Sequence, residues 1–146
     1  MHNILVATDL SDAIAELIES AKMQAPKSES KIWLVFAAPP NPDFVGLEIG
    51  PKYIRDNVAA ELREDHKKLQ DIAESLRLQG YQSEALMVQG PAPDVILAEA
   101  DKLEANMIVI GSHGHGAVFD LLVGSVCKGV LKKSKIPVLV VPSKQL

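Results

Sequence analysis

Five short apolar runs, separated by four stretches of helical periodicity, limit what this chain can fold into more than any other feature. The runs lie at residues 3–8, 31–38, 82–88, 107–110 and 137–141. Each is shorter than an ordinary helix and bounded by polar or turn residues, and Ile, Val and aromatic residues recur in them, so each reads as a strand. Between them, apolar residues recur at three- and four-residue steps. The stripes are Ile14, Leu17, Ile18 and Ala21; Ile54, Val58, Leu62, Leu69, Ile72, Ala73 and Leu76; Val95, Ile96, Ala98 and Leu103; and Val126, Cys127, Val130 and Leu131. Strict alternation of strand and helix predicts an α/β fold, a single domain over residues 1–146 with a doubly wound five-stranded parallel sheet and helices on both faces.

The element boundaries have local causes. Ser11 fits an N-cap, and Asp12 stands where a helix start favours an acid. The first helix stops before Pro26. Pro39, Pro40 and Pro42 impose an irregular connection to about Gly50, which reads as a surface loop. Pro51 suits the first turn of the long helix and Gly80 its C-terminal cap. Gly90, Pro91 and Pro93 break the third strand, so the next helix is expected over 94–104 and the last over 125–134.

Composition removes several function classes. The chain has 146 residues, 47% hydrophobic, and a net charge of −4, which suits a substantial core and argues against a general nucleic-acid surface. Lys128, Lys132, Lys133 and Lys135 cluster locally and read as the solvated face of the last helix. No apolar stretch approaches the roughly 20 residues that span a bilayer, and the start of the chain lacks a signal pattern, so the expectation is no membrane role and a cytoplasmic protein. Cys127 is the sole cysteine and falls on the apolar side of its helix, as a buried thiol would. His66, among charged neighbours, reads as a surface histidine.

The stretch most suggestive of chemistry runs from Met107 into the last helix. The strand stops at Gly111, glycines recur at 114, 116 and 124, and Ser125 opens a helix. Such a loop turns sharply and brings several backbone N–H groups to one anion, beside the positive end of a helix dipole. Phosphate is the expected guest. Two strand orders suit the alternation, 2-1-3-4-5 and 3-2-1-4-5. In the second, the crevice opens between strands one and four, bringing Asp9 and the glycine loop together at the strands' carboxyl ends.

These residues resemble the universal stress protein family over essentially the whole chain. Gly111, two residues, Gly114, nine residues, then Gly124 and Ser125 match the G-2x-G-9x-G-[S/T] pattern of the family's ATP-binding branch. ILVATDLSD near the start, a proline-bearing loop after strand two, LEANMIVIGSHG and SKIPVLVVP are similar in the same order. The resemblance implies order 3-2-1-4-5 and an ATP site, with ADP or AMP as alternatives and Mg²⁺ or Mn²⁺ accompanying the nucleotide. Carried over, Ala7 and Thr8 would border the base. Asp9 would contact ribose or help hold the cation, directly or through water. Ala37 would meet adenine through its backbone, and Ile110 would pack on the base. Gly111, Gly114, Gly124, Ser125 and Val126 would line the phosphates, and His115 lies where it could bond one.

Two departures stand out: many relatives have Pro at the position of Ala7 and His near Phe36. Neither change removes a phosphate donor. The resemblance also implies a homodimer through the last strand, which starts at Pro137 and ends at Val141, since an apolar edge strand invites pairing. The favoured expectation is a nucleotide-dependent regulatory or stress-response protein with an unidentified protein partner, and not an enzyme beyond trace ATP hydrolysis. A slow ATPase or phosphotransferase is the second reading, but the chain lacks the G-x-x-x-x-G-K-[ST] lysine and a clear water-activating carboxylate. A nucleotide-free dimeric module is the third.

Overall fold

The computed structural model describes residues 2–10, 13–38, 52–112 and 124–142, without the side chains of 52–61. The elements follow in the order β1 (His2–Thr8), α1 (Ile14–Gln24), β2 (Ser30–Ala38), α2 (Lys52–Leu78), β3 (Gln82–Gln89), α3 (Ala92–Lys102), β4 (Met107–Gly111), α4 (Ser125–Lys133) and β5 (Val138–Val141). All strand pairs are parallel, and the sheet order is β3-β2-β1-β4-β5. This is the order that sets strands one and four side by side.

Side-chain alternation along the strands sorts the core into two layers. Ile4 and Val6 of β1 pack with Ile32, Leu34 and Phe36 of β2 beneath α1 and α2. Leu5 and Ala7 join Val35, Ile108 and Ile110 beneath α3 and α4. Leu17, Ile18 and Ala21 bury the inner face of α1, and Leu69, Ala73 and Leu76 that of α2. Ile54 and Val58 of the expected stripe lie where side chains are not described. Among the described residues no helix is long and apolar enough to cross a membrane.

Helix ends account for most departures from expectation. α2 closes as expected at Gly80, whose φ is +98°: the Gly80 amide donates to the Arg77 carbonyl at 3.0 Å and the Tyr81 amide to that of Leu76 at 3.0 Å. α3 begins at Ala92, two residues earlier than expected, because Pro91 caps it in an extended conformation and Pro93 fits the first turn, where an N–H would be unsatisfied anyway. It ends at Lys102 through the same backbone motif as α2, with Glu104 taking the left-handed position at φ +53°. The N-cap of α1 is Ala13, without a side-chain bond, and not Ser11; Ser11 and Asp12 lie outside the described residues. So do the loop 39–50 and Pro51.

Two expected core residues face solvent. Ala98 is exposed while Ala100 is buried in its place, and Leu131 is 45% exposed beside buried Cys127 and Val130. Each lies at the rim of a stripe narrower than periodicity alone suggests. The four lysines near α4 are exposed, as is His66, which meets Gln70 at 3.1 Å.

Candidate functional site at the carboxyl ends of β1 and β4

β1 and β4 run side by side with Ala7 opposite Ile110, so the chain leaves both strands at one level. Here the winding reverses: β1 leads to β2 on one side, while β4 leads to β5 on the other. A crevice at such a point is where open α/β sheets bind ligands. Ala7 and Ile110 are 6% and 4% exposed and belong to the core layer beneath α3 and α4. Ala37 is half-buried against the same layer, one residue beyond Phe36, the partner of Thr8. A low apolar shelf thus crosses β2, β1 and β4.

Asp9, the first residue past β1, is exposed. The turn it occupies is unusual. Leu10 adopts φ +62°, and its amide donates to the Thr8 hydroxyl at 2.9 Å. Sequence reading missed this device. A threonine immediately before the turn, two residues ahead of Leu10, was its only signal, since such hydroxyls bond local backbone amides.

The glycine pattern folds back on itself. The Gly124 amide donates to the Ser112 carbonyl at 2.7 Å, and the Ser112 amide donates to the Val141 carbonyl at 2.9 Å. Residues 111–112 and 124–125, the two ends of the motif, are therefore tied together at the end of β4. Gly124 is the N-cap of α4 and offers no side-chain acceptor. Its own amide is spent on Ser112, so the donors left at the helix start are those of the first turn, beginning with Ser125 and Val126. Ser125 is exposed and Val126 half-buried. Gly114 and His115, with His113 and Gly116, lie outside the described residues.

Among the described residues no group of three or more His, Cys, Asp or Glu side chains could hold a metal ion. A cation at Asp9 would need ligand oxygens and water to fill its shell, which is how Mg²⁺ is commonly bound beside phosphates. Cys127 is 1% exposed, and burial pushes its thiol above the ordinary range, against a role as a reactive thiolate.

Comparison with known proteins bears on the family and the fold. Residues 1–142 match the sequence profile of the Universal stress protein family. The universal stress protein encoded in the QAH/OAS sulfhydrylase 3′ region of Thermus aquaticus is 32% identical over 139 residues, covering 94% of this chain and 96% of that protein. The solved structure of MJ0577 from Methanocaldococcus jannaschii superposes with a TM-score of 0.82 at 26% identity, covering 99% of this chain and 98% of that one. A universal stress protein from Archaeoglobus fulgidus, solved in complex with dAMP, has the same fold with a TM-score of 0.66 at 23% identity, over 96% of this chain and 97% of that one. With the profile matched almost from end to end and the sheet order shared, this chain belongs to the universal stress protein family.

Proposed function

We propose that this chain is an adenine-nucleotide-binding regulatory protein whose ligand is ATP with Mg²⁺ or Mn²⁺, held across the β1–β4 crevice. The observation that supports this most is the closure of the glycine motif: the Gly124–Ser112 bond gathers both ends of the pattern at an uncapped helix start. First-turn amides without a side-chain cap among the described residues, with the helix dipole behind them, suit a polyphosphate. The apolar shelf of Ala7, Ile110 and Ala37 suits a flat base, with Thr8 at its border. Gly111, Gly124, Ser125 and Val126 would line the phosphates together with Gly114 and His115, and Asp9 would contact ribose or share the cation. The dAMP complex of the Archaeoglobus fulgidus protein is consistent with such a ligand.

The same reading makes the protein a binder that signals, with hydrolysis at most a trace activity. β5 is an edge strand of half-buried residues paired on one side to β4, which suits a homodimer formed across it in the cytoplasm, displaying a nucleotide-dependent surface to a partner protein. Mass spectrometry of the denatured purified protein tests the ligand. Co-purified ATP supports the reading. Absence of any adenine nucleotide, even after ATP and Mg²⁺ are supplied, would overturn it.

A further inference from the structure

We infer that Thr8 is a positioning residue: its buried hydroxyl, bonded to the amide of left-handed Leu10, sets where Asp9 stands and so governs nucleotide affinity through Asp9. The inference rests on the reading of the β1–β4 crevice as a nucleotide site. Thr8 is the last residue of β1 and is 7% exposed. Past it the ladder to β2 stops, and the Leu10 amide takes its partner from the Thr8 side chain at 2.9 Å. Leu10 is held a second time by its own side chain, which packs against the core layer of Ile4, Val6 and Leu17.

Asp9 sits between these two anchors, with its side chain exposed. A residue flanked by a strand end and a fixed left-handed neighbour has little backbone freedom, so the position of its Cα and the direction of its Cα–Cβ bond, from which the carboxylate projects, are set. A leucine resists positive φ because its Cβ crowds the following carbonyl. Glycine at this position would make the turn without that cost, and strained backbone of this kind concentrates at ligand sites. The Thr8 hydroxyl accepts from the Leu10 amide on a residue that is 7% exposed, so its effect on nucleotide affinity is expected to run through Asp9.

Calorimetric titration with ATP and Mg²⁺, and in parallel with AMP, tests this on Thr8→Val, Thr8→Ser, Asp9→Ala and the Thr8→Val/Asp9→Ala double variant. Thr8→Val is expected to bind about tenfold more weakly, the scale of one lost hydrogen bond, while Thr8→Ser binds as the wild type does. In the Asp9→Ala background Thr8→Val should cost nothing more, because residues acting through one another are not additive. Wild-type affinity in Thr8→Val, or a full additive loss in the double variant, would overturn the proposal. Should Thr8→Val fail to fold, Thr8→Ala removes the same hydroxyl with a smaller side chain; unchanged affinity there would overturn it equally. If the wild-type chain binds neither nucleotide, the nucleotide reading itself falls and takes this proposal with it.

Discussion

The helices finish and begin under opposite rules at the two ends of the sheet. At the amino ends of the strands, α2 and α3 close on themselves through paired backbone bonds at Gly80 and Glu104. Asn3 then ties the α3–β4 turn to β1 and β2. Its side-chain amide donates to the Leu103 and Glu104 carbonyls at 3.2 and 3.4 Å, its side-chain oxygen accepts from the Trp33 indole at 3.3 Å, and its amide donates to the Asn106 side chain at 2.7 Å. At the carboxyl ends α1, α3 and α4 all begin without a side-chain cap, at Ala13, Pro91 and Gly124. At one end the last turns of α2 and α3 are closed by their own backbone, although the Ser30 and Ser83 hydroxyls near the starts of β2 and β3 are buried without a partner among the described residues; at the other end the described helix starts carry no side-chain cap. The difference teaches where stability is kept and where binding is kept, since an amide already capped by its own chain is not free for a phosphate.

The largest expected effect lies at the open end. Gly124→Val should abolish nucleotide binding while leaving the fold intact, because the φ of −64° at Gly124 is one any residue adopts and the added side chain would intrude on the proposed phosphate space. Calorimetry with ATP and circular dichroism would show it, and retained affinity would break the assignment of the open end. At the closed end, Asn3→Ala should cost about 2 kcal/mol of stability by removing three side-chain bonds, yet leave nucleotide affinity unchanged. Urea unfolding followed by fluorescence of Trp33, the single tryptophan, measures it. A loss of affinity there would mean that the ends are coupled.

Glu104→Gly should add about 1 kcal/mol, since a side chain at φ +53° is strained and the motif is formed by backbone alone. Thermal unfolding would report a raised midpoint. The smallest stability change is expected for Gly124→Asp, a gain of a few tenths of a kcal/mol from installing a cap, accompanied by a loss of ATP binding as complete as in Gly124→Val, since the carboxylate takes the amides and repels the phosphates. A variant gaining both stability and affinity would reverse the comparison.

Much of the fold could be read from short stretches, and the exceptions are instructive. Ile4 to Ala7 betray a central strand because burial on both faces demands an unbroken apolar run. Gly80 announces a helix end because few other residues accept its φ. Pro93 misled the start of α3, because proline breaks a strand and opens a helix equally well. Periodicity points Ala98 and Leu131 inward, but only the neighbouring elements decide how wide a stripe is covered. In the candidate site, the spacing from Gly111 to Ser125 was legible, whereas the left-handed Leu10 was not, since nothing in its side chain asks for that conformation.

By itself the sequence determined the nine elements, their alternation and the glycine spacing, because each depends on the periodicity and backbone preferences of neighbouring residues. The tertiary structure alone decided that Ala7 lies opposite Ile110, that the Gly124 amide is spent on Ser112, and that Thr8 and Leu10 hold Asp9 between them at the crevice. The first two join separate stretches of chain, and the third rests on a backbone angle held by core packing, so each exists only once the sheet and its helices have come together.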